Sequence, residues 1–212
     1  PAMPEDIAPA LDAAQADMDA SGLPYGFVMQ KGDVRKADEP VAGDGGIARG
    51  LAQDFADGSD RPDRAAVLEE LLSLSSDETL VIATTGKTGR ELFTISDRAQ
   101  HLYQVGSMGG ASAMGLGVAL NTDLPVCVLD GDGAALMKLG ALATIGASTA
   151  TNLVHIVLDN GTYDSTGGQA TVSENVDFAA IAIACGYRRA YGCDSLDGFS
   201  KAYKDAQSSE GP

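Results

Sequence analysis

Two short apolar runs, joined by a glycine-aspartate-glycine turn and a helix-length segment, constrain the fold of this chain most. The first run is PVCVLD, ending at Asp130, and the second is NLVHIVLD, ending at Asp159. Both have the length of strands buried on two faces, so the pattern predicts a βαβ unit. Because parallel strands carry their carboxyl ends at the same edge of a sheet, Asp132 and Asn160 are predicted to converge there.

A carboxylate and an amide that converge beside a helix N-terminus suit a magnesium ion holding a phosphate group. Mg²⁺ takes oxygen ligands, while exposed backbone N–H groups and the helix dipole favour the anion. A GDG turn on its own is more often a tight strand-to-helix turn in which Asp132 caps the helix. The second polar strand end, at Asp159 and Asn160, favours a ligand site over a simple turn.

Strand-like runs alternate with helix-like patterns in the chain after residue 60. This alternation predicts an α/β fold, a doubly wound, mostly parallel sheet with helices on both faces. Besides the two central runs, strands are predicted at 78–85, 102–105 and 188–191, and helices at 61–74, 111–120, 178–186 and 195–206.

The residues before this region are interpreted as two further parts. Residues 1–32 contain an amphipathic helix pattern at 5–20 and a short strand pattern at 24–30, which look like the end of a preceding domain. Residues 33–60 are rich in Gly, Asp and Ala without periodicity, which is typical of an interdomain linker with weak order or disorder. Residues 61–212 then form the main domain.

The charge balance narrows the classes of partner. The chain has 30 acidic and 14 basic residues, and its net charge of −16 disfavours nucleic acids and anionic membranes and favours small ligands or protein partners. No apolar run approaches the roughly 20 residues that span a bilayer, and the first residues lack a signal-peptide pattern, so a cytoplasmic location is expected. His155 is expected to be structural, and Cys127, Cys185 and Cys193 are expected to be buried free thiols.

Two polar segments follow strands at the expected ligand edge. Thr85–Glu91 is predicted to be a loop whose cations either bind an anionic substrate or are solvated. Asp164–Gln169 is predicted to be a second loop, either a lid near the ligand or a hydroxyl-rich turn. The candidate substrate or lid residues are Lys87, Arg90, Asp164, Ser165, Thr166 and Gln169.

Glycines are concentrated in the predicted helix at 111–120 and in the turn before it. Gly109, Gly110, Gly115 and Gly117 would each cost roughly 1 kcal/mol of helix propensity relative to alanine. We therefore expect a neighbouring backbone or a ligand to approach these positions closely.

Four motifs, in the order found here, resemble a known enzyme family. They are TTGKTGRELF, VGSMGGASAMGLGVAL, VLDGDGAALMKLGALATIG and LDNGTYDSTGGQATVS, and the resemblance covers residues 79–207. The family is that of the thiamine diphosphate-dependent 2-oxo acid decarboxylases, namely the phosphonopyruvate decarboxylases, with the β-subunits of sulfopyruvate decarboxylase as close relatives. In this family a GDG turn is followed by an asparagine pair. Here the pair is Asp159–Asn160, which departs at its first residue and keeps the second.

The resemblance implies that this chain is the diphosphate-binding half of such an enzyme, preceded by the end of the pyrimidine-binding half. The implied cofactors are thiamine diphosphate and Mg²⁺. Met108 would support the bent shape of the cofactor, and the Gly106 carbonyl would accept a hydrogen bond from its aminopyrimidine. The side chains of Asp132 and Asn160 and the Thr162 carbonyl would bind the metal. The implied cofactor-binding residues are Gly106, Ser107, Met108, Gly131, Asp132, Gly133, Ala134, Ala135, Asn160 and Thr162.

The implied reaction is decarboxylation of a small anionic 2-oxo acid. The substrate would be phosphonopyruvate, giving phosphonoacetaldehyde and CO₂, or, as the alternative, sulfopyruvate. In the family a glutamate from the pyrimidine-binding half of a neighbouring subunit activates the cofactor, and no residue of this chain matches its setting. We therefore expect the isolated chain to be inactive, and a full-length homo-oligomer or a separate α-subunit to complete the site. An alternative of another class is a non-catalytic cofactor- or nucleotide-binding module.

Overall fold

The computed structural model describes residues 6–28 and 50–208. The chain divides into two compact units, residues 1–46 and 47–212. In the first unit, helix α1 (Ile7–Ser21) confirms the predicted helix and ends at Gly22 in left-handed conformation. The strand predicted at 24–30 is not formed at 24–28, where no described strand pairs with it, and residues 29 and 30 lie outside the described residues.

The second unit contains the remaining elements of the described chain. Its strands are β1 (Leu51–Asp54), β2 (Leu80–Ala83), β3 (His101–Tyr103), β4 (Val126–Gly131), β5 (Leu153–Leu158), β6 (Thr162–Tyr163), β7 (Gln169–Ala170) and β8 (Arg189–Gly192). Its helices are α2 (Arg64–Leu74), α3 (Lys87–Ile95), α4 (Ala111–Ala119), α5 (Asp132–Met137), α6 (Gly140–Gly146), α7 (Phe178–Ala184) and α8 (Leu196–Ser208). Within residues 6–28 and 50–208, no helix has the length and apolar character needed to cross a membrane.

Four parallel strands form the main sheet in the order β3-β2-β4-β5. The register of β4 with β5 runs from Val126 opposite Leu153 to Gly131 opposite Leu158, so both strands end at the same level. β1 and β8 form a separate parallel pair, and β6 and β7 form an antiparallel hairpin. The predicted α/β class with a mostly parallel sheet is confirmed, although its parallel strands are divided between two sheets.

Successive side chains of β4 enter two different hydrophobic clusters. Val126 and Val128 belong to a cluster that includes buried residues of α4, α6 and α7. Cys127 and Leu129 belong to a cluster that includes buried residues of α2, α3 and α8. Because neighbouring side chains of a strand point to opposite faces, helices cover both faces of the sheet, as the doubly wound prediction requires.

The region predicted to be a linker at 33–60 contains a strand, and that part of the prediction is wrong. Strand β1 pairs with β8 from Leu51 opposite Arg189 to Asp54 opposite Gly192. These residues form a strand because they pair with β8, which lies near the other end of the chain. No local sequence pattern therefore predicts this strand. The second compact unit begins before residue 61, and residues 33–49 lie outside the described residues.

Two other segments also differ from their predictions. The segment 85–91, predicted to be a loop, contains the first turns of α3, which begins at Lys87 directly after Gly86. Gly86 has φ 104°, a left-handed value that glycine tolerates, and it allows the helix to start immediately after β2. The single crossover helix predicted between β4 and β5 is two helices, α5 and α6, because Lys138 leaves the helical region with φ −128° and ψ 37°.

Candidate active site

The GDG turn lies where β4 ends and α5 begins, at the carboxyl edge of the main sheet. Asp132 is the first residue of α5 and is only 2% exposed. Gly133 lies directly against the ring of Tyr163, and a Cβ at this position would be 2.4 Å from the ring carbon Cε1. Glycine at 133 therefore lets strand β6 approach the turn closely.

Hydrogen bonds connect Asp132 to the segment that follows β5. The Thr171 hydroxyl donates to Asp132 Oδ2 over 2.5 Å, and the Oγ atoms of Thr171 and Ser173 lie 3.0 Å apart. The Ser173 hydroxyl in turn donates to Asp159 Oδ1 over 2.8 Å, and the Gly161 N–H donates to the same oxygen over 3.0 Å. We call Asp132, Thr171, Ser173 and Asp159 the Asp132 network. The two strand ends are therefore connected through Asp159, while the predicted approach of Asn160 to Asp132 stays a prediction.

Asn160 lies in the turn between β5 and β6, and Thr162 is the first residue of β6. The Thr162 N–H donates to the Asn160 side-chain oxygen over 3.1 Å, and Asn160 is exposed. Gly161, with φ 70°, lies between them and allows the sharp turn. In the described part of the chain, no group of three or more His, Cys, Asp or Glu side chains is arranged to hold a metal ion.

The loop that precedes α4 lies against α5. A Cβ on Gly109 would be 2.4 Å from the Ala134 carbonyl oxygen, so only glycine permits this contact. Ser107 has φ 32°, and among the described residues it alone has positive φ without being glycine. Such strain costs of order 1 kcal/mol or more and is concentrated at functional sites in proteins. The predicted cofactor residues of the loop and of the GDG turn are thus neighbours.

Three buried side-chain oxygens near this edge have no hydrogen-bond partner in the described structure. They are Thr84 Oγ1, directly after β2, Gln104 Oε1, directly after β3, and Asp130 Oδ1, near the end of β4. Gln104 lines an open cleft of about 820 Å³ between the loop before α4 and helices α5 and α6. Buried polar groups in native proteins nearly always have a hydrogen-bond partner. These three oxygens are therefore consistent with a polar ligand or water bound at this edge.

The β6–β7 hairpin turn is held against the start of α3. Lys87 Nζ lies 2.8 Å from Asp164 Oδ1, and Arg64 lies 3.5 Å from Asp164 Oδ2. Arg64 also makes a two-bond contact with Glu91, with N–O distances of 2.7 and 2.9 Å. A Cβ on Gly86 would be 3.2 Å from Ser165 Oγ. The hydrogen bond from Lys87, with the charges of Lys87 and Arg64, lowers the pKa of Asp164.

The remaining predicted substrate and lid residues are exposed. Arg90 lies on α3, Thr166 donates to the Tyr163 carbonyl over 3.3 Å, and Gln169 lies in β7. The structure therefore brings together Lys87, Asp164 and Ser165, while Arg90, Thr166 and Gln169 are near them in sequence without a described contact to Lys87. The predicted loop at 164–169 forms the turn of the β6–β7 hairpin at 164–168 and the first residue of β7 at Gln169, and its role as a lid stays a prediction.

Two further predictions concern single residues. The side chain of His155 is 3% exposed and lies within hydrogen-bond distance of Asp130 and Tyr187, which agrees with a structural role.

All three cysteines are free, and burial raises the pKa of Cys127 to about 12. Cys193 is exposed, so its predicted burial is wrong. Cys193 stands between Gly192 and Asp194, directly after the end of β8, and not in an apolar segment.

The comparison with protein families identifies the fold of this site. The C-terminal TPP binding domain of thiamine pyrophosphate enzymes matches residues 84–212. The chain belongs to the thiamine pyrophosphate enzymes. The matched region contains the GDG turn, the loop before α4 and the Asp132 network, and the resemblance inferred from the motifs is confirmed.

Curated relatives and solved structures agree with this assignment. Phosphonopyruvate decarboxylase of Streptomyces viridochromogenes is 47% identical over 98% of this chain and 53% of its own length. The β-subunit of sulfopyruvate decarboxylase of Methanocaldococcus jannaschii is 37% identical over 70% of this chain and 79% of its own length. Benzoylformate decarboxylase from Polynucleobacter necessarius shares the fold, with a TM-score of 0.57 and 21% identity over 72% of this chain and 34% of its own. This chain spans about half the length of the matched phosphonopyruvate decarboxylases.

The residues present fit a diphosphate and a divalent cation. Asp132 and Asn160 supply hard oxygen atoms, glycines at 109 and 133 allow close backbone approach, and buried oxygens without partners lie at the same edge. Sequence reasoning missed Thr171 and Ser173. Their only sequence signal was a pair of hydroxyl residues shortly after the hairpin, which is too common to indicate a contact with Asp132.

Proposed function

We propose that this chain is the diphosphate-binding half of a thiamine pyrophosphate- and Mg²⁺-dependent decarboxylase. The proposed reaction converts phosphonopyruvate, with uptake of one proton, into phosphonoacetaldehyde and CO₂. The observation that carries the proposal is the connection of Asp132 to the end of β5 at the carboxyl edge, in a chain 47% identical to a phosphonopyruvate decarboxylase.

The metal would be bound by the Asp132 and Asn160 side chains together with the Thr162 carbonyl. Gly131, Gly133, Ala134 and Ala135 would face the diphosphate with their backbone. The Asp132 network supports this role, because hydrogen bonds to a ligating carboxylate fix its orientation. Asn160 would exchange its contact with the Thr162 N–H for one with the metal.

The loop before α4 would position the rest of the cofactor. Met108 would contact its bent centre, the Gly106 carbonyl would accept a hydrogen bond from the aminopyrimidine, and Ser107 would line the site. The left-handed conformations of Gly106 and Ser107 and the contact of Gly109 with α5 support this placement. When bound, thiamine pyrophosphate supplies a carbon nucleophile and an acceptor for the electrons of the bond to CO₂.

The phosphonate group of the substrate would meet Lys87 and Arg90 of α3. Lys87 is half-exposed and paired with Asp164, so a dianion could compete with that carboxylate. The hairpin residues Asp164, Ser165, Thr166 and Gln169 would then act as a lid over the substrate. Excluding water at this point strengthens the attraction between cation and phosphonate.

A second polypeptide or domain would complete the active site. The glutamate that activates the cofactor in this family would come from a pyrimidine-binding domain or an α-subunit, in a homo- or hetero-oligomer.

One observation favours the alternative of a sulfopyruvate decarboxylase β-subunit. The chain covers 79% of the M. jannaschii β-subunit, a relative that is itself named as a subunit. The higher identity to phosphonopyruvate decarboxylase favours phosphonopyruvate as the substrate.

Binding can be tested separately from turnover. Calorimetric titration of the chain with thiamine pyrophosphate should show binding that requires Mg²⁺ and is lost in Asp132→Ala. The matched control is Asp123→Ala, an exposed aspartate outside the site, which should bind normally. Binding without Mg²⁺, or unchanged binding in Asp132→Ala, would contradict the proposed site.

Turnover is tested by CO₂ release from both acids. The isolated chain with cofactor and Mg²⁺ should be inactive, and addition of the α-subunit or pyrimidine-binding half of a relative should give activity. A preference for phosphonopyruvate supports the proposed substrate, and a preference for sulfopyruvate supports the alternative. Cofactor binding without turnover of either acid in the completed assembly would indicate a non-catalytic module.

A further inference from the structure

Four charged side chains meet where α2 and α3 begin. Arg64 is the first residue of α2, Lys87 is the first residue of α3, and Glu91 lies one turn further along α3. Asp164 comes from the turn of the β6–β7 hairpin. The Arg64 guanidinium contacts both carboxylates, and the Lys87 ammonium contacts that of Asp164. We call these four residues the Arg64 cluster.

The two cations of the cluster differ in exposure and in how they are held. The side chain of Arg64 is 20% exposed, and its Nε and Nη2 atoms donate to the two Glu91 oxygens over 2.9 and 2.7 Å. The side chain of Lys87 is 45% exposed, and its ammonium group donates to Asp164 Oδ1 over 2.8 Å. Because the guanidinium is planar, its two-bond contact fixes its orientation. Lys87 is therefore the cation that a ligand from solvent reaches first, and Arg64 is the inner cation.

Asp164 lies between the two cations. Its Oδ1 is 2.8 Å from Lys87 Nζ, and its Oδ2 is 3.5 Å from Arg64 Nη2. Arg64 Nη2 carries two hydrogens, of which one serves Glu91 and the other faces Asp164. The longer contact would have to shorten by only about 0.7 Å to become a strong charge-assisted hydrogen bond of about 2.8 Å. Asp164 therefore has a second cation within reach of a small side-chain rotation.

A phosphonate that binds Lys87 has to replace Asp164 as the partner of the ammonium group. A dianion and a carboxylate at this distance repel each other, and partial burial strengthens the repulsion. The phosphonate therefore binds best when Asp164 pairs with another cation. Within residues 6–28 and 50–208, the cations within 4.0 Å of Asp164 are Lys87 and Arg64.

We propose that Arg64 is a positioning residue, which takes Asp164 as its partner when Lys87 binds the anionic group of the substrate. Lys87 then contacts the phosphonate, while Asp164 keeps a counter-charge at the first turn of α2. The inference rests on the proposed function, because it takes Lys87 as a residue that meets the phosphonate. It deepens that function by naming a residue that sets the affinity for a dianionic substrate.

The position of Arg64 does not depend on the hairpin. Leu68 and Leu71 of α2 and Leu92 of α3 are fully buried in one hydrophobic cluster, so α2 is packed against α3. The exchange of partners therefore requires movement of the Asp164 side chain and not of the two helices. Arg64 acts through Asp164 and Lys87, and it does not need to touch the substrate.

Binding of methylphosphonate tests the exchange, because this probe carries the phosphonate group without a reactive ketone. Phosphorus NMR titration of the chain, with thiamine pyrophosphate and Mg²⁺ bound, should show binding that is largely lost in Lys87→Gln. Arg64→Gln should weaken binding by about 3- to 5-fold, the size expected for a partly exposed ion pair. In Asp164→Asn the competing carboxylate is absent, so adding Arg64→Gln should have little further effect.

Glu91→Gln is the matched control for Arg64→Gln. It also removes the two-bond ion pair, but it keeps the guanidinium charge and leaves it to Asp164. Glu91→Gln should therefore bind methylphosphonate at least as tightly as the parent. An equal loss in Glu91→Gln and Arg64→Gln would show that both act by loosening α2 from α3, and it would overturn the inference. An equal effect of Arg64→Gln with and without Asp164→Asn would also overturn it, because Arg64 would then attract the anion directly.

The same titrations separate the inference from the proposed function. Absence of methylphosphonate binding, or equal binding in Lys87→Gln, would contradict the proposed substrate contact, and the inference would fail with it. Binding that occurs only without thiamine pyrophosphate would assign Lys87 to the diphosphate, with the same consequence. Binding that depends on Lys87 but is unchanged in Arg64→Gln would overturn the inference alone.

The NMR signal of the Arg64 guanidinium gives an independent readout. The Nε resonance, assigned from its absence in Arg64→Gln, should shift when methylphosphonate binds, because the guanidinium gains a closer contact with Asp164. In Asp164→Asn this shift should be largely lost. A shift of the same size in Asp164→Asn would show that the signal reports the anion itself, and it would overturn the exchange of partners.

Discussion

The Thr171 hydroxyl donates a 2.5 Å hydrogen bond to the Asp132 carboxylate. This contact connects the GDG turn with the residue that follows the β6–β7 hairpin. Thr171 also lies 3.0 Å from Ser173, whose hydroxyl reaches Asp159. The orientation of the proposed metal ligand is thus coupled to the segment that carries the candidate lid.

Removing the Thr171 hydroxyl should weaken cofactor binding without removing a ligand. Thr171→Val keeps the side-chain shape but leaves Asp132 Oδ2 without this donor. Because partners of metal ligands commonly contribute 10- to 100-fold to affinity, we expect the Mg²⁺-dependent affinity for thiamine pyrophosphate to fall by about that factor. Calorimetric titration measures it. Thr171→Ser should restore binding, and equal affinity in the valine and serine variants would contradict the role of the hydroxyl.

The ion pair of Lys87 with Asp164 should control opening of the hairpin turn. The side chains are 45% and 35% exposed, so the pair contributes little to global stability. In Asp164→Asn we expect an unchanged unfolding midpoint but cleavage of the turn 164–168 by a protease that is about 3- to 10-fold faster. Lys87→Gln should have a similar effect, and the double variant should add little to either single variant. Independent, fully additive effects would show that the two side chains do not act together.

The same pair should make the turn sensitive to acid. The folded-state pKa of Asp164 is lowered, chiefly by the hydrogen bond from Lys87, so the pair is fully formed above the ordinary carboxylate pKa of about 3.9. Its contribution is lost as the pH falls below that value toward the lowered pKa. Hydrogen exchange of the turn, corrected for intrinsic pH dependence, should therefore accelerate below about pH 4. Asp164→Asn should abolish this acceleration, and persistence of the effect in that variant would assign it to another group.

The glycines in and before α4 show which part of a close contact can be predicted from the sequence. Close approach was predicted for four positions. A Cβ would come within 2.4 Å of Ala134 at Gly109, 2.5 Å of Gln104 at Gly110 and 2.1 Å of Val128 at Gly115. A Cβ at Gly117 would lie more than 4 Å from every described heavy atom outside its own stretch of helix, so no neighbouring backbone approaches this glycine and only approach of a ligand stays a prediction there. The sequence shows where glycine lowers the helix propensity. It does not show which neighbouring group packs against each glycine, because the tertiary structure determines that contact.

Alanine at two of these glycines should have opposite effects on stability. Gly115→Ala places a methyl group against the buried, β-branched Val128 and should lower the free energy of unfolding by about 1–3 kcal/mol. Gly117→Ala meets open space in the same helix and should raise it by about 0.5–1 kcal/mol. Urea unfolding of both variants measures the difference. A stabilising Gly115→Ala would show that α4 can move away from β4.

Parallel strand ends could be predicted because their positions follow from local patterns. The apolar lengths of β4 and β5 and the polar residues after them indicated that Asp132 and Asn160 share one edge. The strand at Leu51–Asp54 could not be predicted, because these residues form a strand only by pairing with β8. The contact of Thr171 with Asp132 likewise depends on how the β6–β7 hairpin folds back, which no periodicity in the sequence specifies.

A buried chain of polar side chains joins β4, β5 and the segment before β8. His155 Nε2 lies 3.1 Å from Asp130 Oδ2, and His155 Nδ1 lies 3.1 Å from the Tyr187 hydroxyl. Asp130 is 0% exposed, and its Oδ1 has no partner in the described structure. Burial raises the pKa of Tyr187, so its hydroxyl keeps its proton. His155 is therefore the main partner of a buried carboxyl group.

Replacing His155 by phenylalanine should destabilise the fold more than removing the Tyr187 hydroxyl. His155→Phe leaves Asp130 buried without this partner, and an unsatisfied buried polar group costs about 1–3 kcal/mol, more when it is charged. Tyr187→Phe removes one hydrogen bond and should cost only about 1 kcal/mol. Combining His155→Phe with Asp130→Leu removes both polar partners and should recover much of the stability. Urea unfolding distinguishes these cases, and a His155→Phe cost no larger than that of Tyr187→Phe would show that Asp130 is satisfied by other groups.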